Sequence, residues 1–350
     1  MKPVILGTHE VGPGRPPYVI AEIGSNHNGD MDLCRRLIDA AADAGAHAVK
    51  FQSWTDKSLI AREEYNRNTE YSDKKKHFGS LEDMVRAYQF TEAQHREALE
   101  YCRKRNVVFC SSPFSEEETD LLEQLGVPFF KIASMDINNL PFLRYVARKQ
   151  RPMILSTGMA TLAEIEQAVE TVRGEGNDAI VLLHCISIYP PEISTINLRN
   201  IPMLEQVFDM PVGFSDHSLG TAIPLAAVAL GACLIEKHFT IDKDMPGWDH
   251  AISADPEEMH VITAEGRNIF DALGSSARIV SPAEQAKRGK FRRSLVARAD
   301  LPAGHVLTDA DLTAKRPGTG IAPSEQQYVV GRKLANAVAE DQVLSWGDLV

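Results

Sequence analysis

Short apolar runs alternate with amphipathic stretches along most of the chain, and polar residues follow each apolar run. The runs have the length and the β-branched content of buried strands, and the stretches between them have the periodicity of helices. The predicted strands are Tyr18–Ile23, Ala48–Gln52, Val107–Ser111, Phe129–Ala133, Met153–Ser156, Ile180–His184, Val212–Phe214 and Cys233–Glu236. Because alternating strands and helices require parallel pairing with right-handed crossovers, eight such units predict a closed (β/α)8 barrel of the TIM type.

The helices predicted between these strands support the same architecture. They include Met31–Ala44, Thr91–Arg105, Glu116–Leu125, Leu162–Val172 and Thr221–Leu230. Thr91 and Gln94 form a capping box at the start of the second of these helices. A doubly wound open sheet is the alternative, but the count of eight favours the barrel, and no Gly-x-Gly-x-x-Gly turn follows the first strand.

Two segments depart from this alternation. Ser53–Phe90 is long and polar and contains Lys74-Lys75-Lys76, so it is predicted to be a loop or lid over the barrel mouth, or equally a solvated insertion without a role. Residues 274–293 are polar and basic and indicate a linker, and residues 294–350 contain short strands and turns. The predicted organisation is a barrel of residues 1–273, a linker, and a small β-rich domain that would gain stability by packing on a partner.

Composition limits the classes of function. The chain has 350 residues, its hydrophobic content of 44% is enough for a large core, and its net charge is −11. This charge and a pI near 5.5 argue against a nucleic-acid surface. Residues 1–17 lack the apolar core of a signal peptide, and the longest apolar run, Ala222–Ile235, is too short to span a bilayer. Five scattered cysteines predict reduced core thiols in a cytoplasmic protein: Cys34, Cys102, Cys110, Cys185 and Cys233.

Histidines follow the last two predicted strands, at the barrel end where catalytic groups gather. Since neighbouring strands deliver His217 and His238, the two imidazoles are expected to share one first-row divalent metal ion. A single strand-end histidine is more often a hydrogen-bonded structural residue, which is the alternative for both and the expectation for His184. Asp216 is expected either to orient a ligand imidazole or to cap the next helix.

Two lysines lie within apolar strands, Lys50 in the second and Lys131 in the fourth. An unpaired buried ammonium is costly, so each lysine needs a partner or a ligand. With the hydroxyls at neighbouring strand ends, the two lysines would make a cradle for a phosphate or a carboxylate. These hydroxyls belong to Ser112, Ser134, Ser156 and Ser215. The alternative is that each lysine pairs with a core carboxylate such as Glu22 or Glu236, and that the serines only form turns.

Several motifs at the strand ends carry a family resemblance. They are Ala21-Glu22-Ile23-Gly24-Ser25-Asn26-His27-Asn28-Gly29, Ser112-Pro113-Phe114, Lys131-Ile132-Ala133-Ser134, Leu155-Ser156-Thr157-Gly158-Met159, His184-Cys185 with Tyr189-Pro190, Ser215-Asp216-His217 and Glu236-Lys237-His238-Phe239. In this order, and over nearly the whole chain, they resemble the N-acetylneuraminate (sialic acid) synthase family. The tail from Ser294, which contains Lys315-Arg316-Pro317-Gly318, resembles the C-terminal antifreeze-like domain of that family.

The resemblance implies an enzyme that condenses phosphoenolpyruvate with an open-chain N-acylated hexosamine, such as N-acetylmannosamine, to give a nonulosonic acid and phosphate. His217 and His238 would hold Mn²⁺, or else Mg²⁺ or Co²⁺, as a Lewis acid. Glu22 is expected to handle the proton, with Asp136 as the alternative. The implied phosphoenolpyruvate-binding residues are Lys50, Ser112, Lys131, Ser134, Ser156 and Ser215.

The sugar contacts of the family correspond to Tyr189, Asp249 and Arg316. In the family the antifreeze-like domain reaches across a dimer, so the resemblance also implies a domain-swapped homodimer in which Arg316 serves the active site of the partner.

Departures from the family motifs lie near the expected sugar site. Met135-Asp136 stands where the family typically has Gly-Glu, Ser187 stands where it has Asn, and the bulky Trp248 precedes Asp249. Ser187 is still expected to contact the sugar. A 6-deoxy di-N-acyl hexose, as in legionaminic or pseudaminic acid synthesis, therefore stays open as the substrate.

Two other classes of function stay open. One is a metal-dependent aldolase that does not use phosphoenolpyruvate. The other is a non-catalytic carbohydrate-binding protein, which the combination of two histidines and two lysines argues against.

Overall fold

Eight parallel strands form a nearly closed barrel in the first of two units of the chain. In this computed structural model, which describes residues 2–72 and 77–350, the units are Met1–Gly274 and Ser275–Val350. The barrel strands are β1 (Tyr18–Gly24), β2 (Ala48–Ser53), β3 (Val108–Pro113), β4 (Phe130–Ile132), β5 (Met153–Ser156), β6 (Ile180–Cys185), β7 (Val212–Asp216) and β8 (Leu234–His238). Their order is β3-β2-β1-β8-β7-β6-β5-β4, and the edge strands β3 and β4 lie against each other. The predicted barrel is confirmed.

The helices of the chain alternate with these strands or follow them. They are α1 (Met31–Asp43), α2 (Arg62–Arg67), α3 (Leu81–Tyr88), α4 (Glu92–Lys104), α5 (Glu116–Leu125), α6 (Leu140–Ala147), α7 (Leu162–Gly174), α8 (Asn200–Phe208), α9 (Ala222–Ala229), α10 (Pro256–Leu273), α11 (Pro282–Phe291) and α12 (Gln326–Val329). The capping box of Thr91 and Gln94 is present at the start of α4. In the part of the chain that the structure describes, no helix combines the length and the apolar character needed to cross a membrane.

The barrel strands are buried on both faces, which explains why they are continuous apolar runs in the sequence. A large apolar layer lies between the strands and the surrounding helices. A second apolar cluster, which includes Tyr18 and Ile20, also contains Val4 and Leu6 of a short N-terminal hairpin. This hairpin therefore covers the amino ends of the strands, and the carboxyl ends are left for polar groups.

Several strands extend beyond the predicted bounds, and the extension matters most for β7 and β8. Prediction ended them at Phe214 and Glu236, but the parallel pairing of β7 with β8 continues to a pair formed by Asp216 and Lys237. Both of these side chains are buried. The polar residues that looked like the start of a loop are thus the last rungs of the ladder.

The prediction of a long polar loop at Ser53–Phe90 is wrong. This segment contains α2 and α3 and has its own apolar cluster. The cluster consists of Trp54, Tyr65, Leu81, Met84, Val85 and Tyr88. Leu81, Met84, Val85 and Tyr88 have the i, i+3, i+4, i+7 spacing of an amphipathic helix, a signal that the polar composition of the whole segment obscured. The three lysines Lys74-Lys75-Lys76 lie outside the described residues.

The second unit begins with a helix and continues as a small β-rich domain. Helix α11 lies within the predicted linker, and Ser281 caps its first turn. Strands β9 (Ser294–Ala297) and β10 (Leu312–Lys315) pair in antiparallel fashion. Leu295, Leu307 and other apolar side chains form a separate core.

The five cysteines are buried and free, as expected for reduced core thiols.

Packing of β7 against its neighbours predicts that Gly213 cannot accept a side chain. An added Cβ would lie 2.6 Å from the Leu234 carbonyl oxygen and 2.7 Å from a Leu183 methyl carbon. Gly213→Ala should therefore lower the free energy of unfolding by about 1–3 kcal/mol, measured by urea denaturation.

Gly174→Ala is the matched control, since nothing lies within 4 Å of the added carbon at the end of α7. It should unfold at the same or a slightly higher urea concentration. Equal midpoints for Gly213→Ala and the wild type would contradict this account of the packing.

Candidate active site

A buried cluster of four charged groups lies at the carboxyl end of the barrel. We call Glu22, Lys50, Lys131 and Glu236 the charge cluster; each is less than 7% exposed. Lys50 Nζ lies 2.7 Å from Glu22 Oε2, and Lys131 Nζ lies 3.2 Å from Glu236 Oε1. Lys50 Nζ is also 4.0 Å from Glu236 Oε1. Active sites of TIM barrels form at this end of the strands.

Strand register brings these groups together. Glu22 of β1 lies opposite Lys50 of β2 and opposite His238 of β8. Because side chains alternate across a strand, Glu236 points to the same side as His238, two residues later. The register of β8, β1 and β2 therefore determines which of their side chains meet inside the barrel.

The charge cluster keeps Lys50 charged. Burial acts to lower the pKa of Lys50, but the carboxylates of Glu22 and Glu236 raise it above its usual value. Burial acts to raise the pKa of Glu236, but Lys131 and Lys50 hold it below the usual value. In this structure each lysine thus pairs with a core carboxylate, which is the alternative given in the sequence analysis.

Glu22 differs from Glu236. Burial raises the pKa of Glu22 to about 7, although Lys50 opposes the shift, and the negative charge of Glu236 adds to it. Gln52 Nε2 donates to Glu22 Oε1 at 2.9 Å. Gln52 was not among the predicted site residues, although it lies two residues after Lys50 at the end of the same strand.

Of the four predicted serine hydroxyls, two contact the charge cluster and a third bonds elsewhere. Ser215 Oγ donates to Glu236 Oε1 at 3.1 Å, and Ser112 Oγ lies 3.4 Å from Lys50 Nζ. Ser134 Oγ instead accepts from the Gly158 amide at 3.1 Å. Two of the four serines therefore contact the charge cluster directly.

Buried polar atoms without hydrogen-bond partners mark the same end of the barrel. Among the described residues, Ser156 Oγ, Glu236 Oε2 and His238 Nδ1 have none. Buried polar atoms are normally paired, so such a group of atoms indicates a site for polar ligands.

His217 and His238 lie close together, with ring centroids 5.5 Å apart. The Nδ1 atom of His217 lies 2.8 Å from the Ile186 carbonyl oxygen, so this nitrogen carries a hydrogen and Nε2 is the nitrogen that a metal ion could reach once its proton is lost. Burial, together with the nearby positive charge of His217, lowers the pKa of His238 well below its usual value. His238 is therefore neutral near pH 7, which is the form of imidazole that can bind a metal ion.

The two imidazoles fit a shared metal ion. With metal–nitrogen distances of about 2.1 Å, two rings on one ion have centroids no more than roughly 6.5 Å apart. Within residues 2–72 and 77–350, no three His, Cys, Asp or Glu side chains are close enough to hold an ion. The pair thus fits an ion whose remaining positions are filled by water or substrate. Burial acts to lower the pKa of His217, but its hydrogen bond with Cys185 raises it, so metal binding would displace a proton.

Among the described residues, Asp216 neither bonds directly to the His217 ring nor caps α9. A backbone carbonyl orients the His217 ring, and the N-cap residue of α9 is Thr221. The Asp216 carboxylate instead lies 2.6 Å from Lys237 Nζ and accepts from the Ser218 amide at 2.9 Å. His184 bonds to the Ile196 carbonyl oxygen at 2.6 Å, in the structural role expected for it.

Two of the expected sugar contacts lie beside the histidines. The Tyr189 ring is 4.1 Å from the His217 ring, centroid to centroid. Asp249 Oδ2 lies 3.7 Å from His238 Nδ1, and burial raises the pKa of Asp249 to about 6 against the lowering effect of His217.

Ser187, Asp136 and Arg316 lie in other surroundings. A Cβ added to Gly158 would lie 2.3 Å from Ser187 Oγ, so Ser187 lies beside the loop that follows β5. Asp136 accepts from Asn139 at 3.2 Å in the turn after β4, and burial raises its pKa. In the second unit, the Arg316 guanidinium lies 5.3 Å from the centre of the Phe291 ring.

Comparison with known proteins shows the family of this chain. The NeuB family model matches residues 37–278, and the SAF domain model matches residues 292–350. The chain belongs to the NeuB family.

Relatives with this architecture are synthases of nonulosonic acids. An N,N'-diacetyllegionaminic acid synthase of Campylobacter jejuni is 40% identical over 332 residues, which are 93% of this chain and 98% of the relative. Human N-acetylneuraminate-9-phosphate synthase is 36% identical over 336 residues, which are 95% of this chain and 93% of the relative.

A solved structure supports the same conclusion. The crystal structure of an N-acetylneuraminic acid (sialic acid) synthetase from Leptospira borgpetersenii, in complex with citrate, has a TM-score of 0.74 at 35% identity and covers 82% of this chain and 95% of that chain. The family resemblance and the enzyme class expected from the sequence are confirmed. The charge cluster and the two histidines lie at the carboxyl ends of the strands, where the active sites of TIM barrels form.

The electrostatics of the charge cluster predict that Glu22 titrates near neutral pH. Because its pKa in the folded protein is about 7, the acid form dominates below that pH and the carboxylate above it. Protonated Glu22 thus stabilises the fold below the pKa of an unfolded glutamate, and this contribution is lost as the pH rises through about 7. Infrared spectra should show a carboxylic acid band at about pH 6 that is lost by about pH 8.

Glu22→Gln identifies the band, since Asp249 also titrates in this region. The difference between wild-type and variant spectra should contain the band, and an Asp136→Asn variant should keep it. A Glu22 band that disappears between about pH 4 and pH 5 would show that the site holds an ordinary carboxylate.

Proposed function

We propose that this protein condenses phosphoenolpyruvate with an N-acylated hexosamine and water to give a nonulosonic acid and inorganic phosphate. The observation that carries the proposal is that two buried ammonium groups and two neighbouring imidazoles lie at the same end of the barrel. A phosphate and a carboxylate on one small substrate need two fixed cations. The reactions named for its relatives support the same class.

Phosphoenolpyruvate binds to Lys50 and Lys131 in this proposal. Its anionic groups take the place of Glu22 and Glu236 as partners of the two ammoniums, with hydroxyls from Ser112 and nearby serines. The serines proposed to contribute are Ser112, Ser134, Ser156 and Ser215.

His217 and His238 hold the metal ion, for which we propose Mn²⁺, with Mg²⁺ and Co²⁺ as alternatives. The ion, when bound, would polarise the sugar aldehyde as a Lewis acid. Asp249, beside His238, and Tyr189, beside His217, are placed to contact the sugar.

The proposed reaction balances with one water. The enol carbon of phosphoenolpyruvate forms a bond to the aldehyde carbon, and water adds to the next carbon. The bond between that carbon and the bridging oxygen then breaks, the new hydroxyl becomes the keto oxygen of the product, and its proton leaves with the phosphate. Glu22, with its pKa near 7, accepts the proton from water and returns it to the sugar oxygen. Asp136 is the less suited group, since its hydrogen bond is to Asn139 in the turn after β4.

The identity of the sugar has two candidates. N-acetylmannosamine or a relative is the first. A 6-deoxy di-N-acyl hexose is the second, because Met135 and Trp248 place exposed apolar surface after β4 and β8, and Ser187 is a small side chain. A methyl group and a second acyl group would suit apolar surface better than hydroxyls.

One assay tests the reaction and separates it from that of an aldolase. Phosphoenolpyruvate labelled with ¹⁸O in its bridging oxygen is incubated with each candidate sugar and Mn²⁺. Phosphate should be released only with an accepted sugar, and mass spectrometry should find the label in phosphate. The label in the sugar acid would contradict carbon–oxygen cleavage, and condensation of pyruvate without phosphate release would favour an aldolase. Glu22→Gln is the variant expected to lose turnover.

We also propose a homodimer in which Arg316 completes the active site of the partner barrel, and a cytoplasmic location, which the buried free cysteines support. A small domain that carries a functional guanidinium gains stability when it packs on a partner. The Phe291 ring under Arg316 would hold the guanidinium in place.

Mixed dimers test the sharing of Arg316. Co-expression of Arg316→Ala and Lys131→Ala chains with different affinity tags, followed by purification on both tags, isolates dimers with one chain of each kind. If Arg316 acts on the partner barrel, one of the two sites is intact, and about half of wild-type activity is expected. Each variant alone should be inactive.

Arg332→Ala is the matched control, since this guanidinium also lies over an aromatic ring, 5.7 Å from the centre of Trp346. It should leave activity unchanged. Inactive mixed dimers of the correct mass would mean that Arg316 acts within its own chain.

A further inference from the structure

A second buried ion pair lies next to the two histidines and outside the charge cluster. Asp216 and Lys237 are each 1% exposed and lie opposite each other at the end of the ladder between β7 and β8. Each directly precedes a histidine in the chain. The proposed reaction gives neither residue a role.

This pair faces away from the barrel interior. One rung earlier, Ser215 bonds to Glu236 inside the barrel, and one rung before that, Phe214 and Ile235 lie in the apolar layer beneath the helices. By alternation, the rung of Asp216 and Lys237 points outward to that layer. The pair therefore does not belong to the anion-binding surface.

Bonds from this pair enclose the peptide that follows His217. Asp216 accepts from the Ser218 amide at 2.9 Å, and Lys237 Nζ donates to the Ser218 carbonyl oxygen at 2.5 Å. Lys237 Nζ also lies 2.6 Å from Asp216 Oδ2. These bonds hold the residues before and after His217. Lys237, which makes two of them, directly precedes His238 in the chain.

Buried ion pairs are weak devices for stability, since two apolar side chains of similar size often serve as well. An ion pair in an apolar layer differs from an apolar pair because its hydrogen bonds fix the positions of the atoms that it joins. Here the geometry that it sets is the position of one imidazole relative to the other.

We infer that Asp216 and Lys237 are positioning residues that hold His217 and His238 at the spacing required to share one metal ion. The inference rests on the proposed metal site. The ammonium of Lys237 links the turn that carries His217 to the strand that carries His238. Without it the two rings lose their fixed separation, and the ion is bound more weakly.

The test compares Mn²⁺ binding by the full chain without substrates, measured from the electron paramagnetic resonance signal of the free ion. The double variant Asp216→Asn/Lys237→Met removes both charges together and keeps an oxygen for the Ser218 amide. Its dissociation constant for Mn²⁺ should be roughly 10- to 100-fold higher than that of the wild type, as for other residues that support metal ligands.

The control variant is Asp120→Asn/Lys149→Met. Lys149 Nζ lies 2.6 Å from Asp120 Oδ1, so the same two substitutions break an equally short pair far from the strand ends. Mn²⁺ affinity should be unchanged. Phosphoenolpyruvate affinity should also stay within about twofold in the Asp216→Asn/Lys237→Met variant, because Lys50 and Lys131 are on other strands.

The outcomes separate this inference from the proposed function. Wild-type protein that binds Mn²⁺ through His238, with equal affinity in the double variant, overturns the inference alone. Wild-type protein whose Mn²⁺ binding is unaffected by His238→Ala contradicts the metal site and the inference together. If the double variant does not fold, Asp216→Asn alone provides the measurement, and failure of both to fold overturns a positioning role in favour of a folding one.

Discussion

Four ionisable side chains buried inside one barrel form the interaction on which the site depends. Moving an ion out of water costs several kcal/mol even in a relaxed protein, so none of Glu22, Lys50, Lys131 and Glu236 can be buried alone. Each is within 3.2 Å of an opposite charge. Strand register and the alternation of side chains are what bring these groups into contact.

This pairing would also explain how the proposed anion site keeps its cations without a ligand. The carboxylates keep Lys50 charged although it is buried, so no proton has to be gained when a substrate arrives. Fixed charges in a site shielded from water stabilise reacting groups far more than exposed charges do. The same burial moves the pKa of Glu22 to about 7, where a carboxyl can both accept and donate a proton.

Most of the barrel could be predicted from the sequence, because strands buried on both faces are continuous apolar runs. Lys50 and Lys131 were recognised because an ammonium in such a run is unusual, and His217 and His238 because they end neighbouring strands. The sequence could not show which carboxylate each lysine pairs with. Glu22 and Glu236 were both possible partners until the strand register was known.

Two predictions failed, each for a different physical reason. Asp216 was assigned to a histidine or a helix, because its partner Lys237 lies 21 residues away and only the register brings the two together. The segment after β2 was taken for a loop because its overall composition is polar, although Leu81, Met84, Val85 and Tyr88 have helical spacing. The first error comes from a distant contact, and the second from giving composition more weight than a local helical pattern.

Calorimetry of phosphoenolpyruvate binding tests most directly whether the charge cluster is an anion site or only a stabilising network. The variant Lys131→Met/Glu236→Gln replaces one ion pair by a neutral pair of similar volume, so that neither charge is left unpaired. If Lys131 binds the substrate, affinity should fall by about 1.5–3 kcal/mol, which is roughly 10- to 100-fold. Unchanged affinity in a folded variant would show that the pair is structural and would contradict the account.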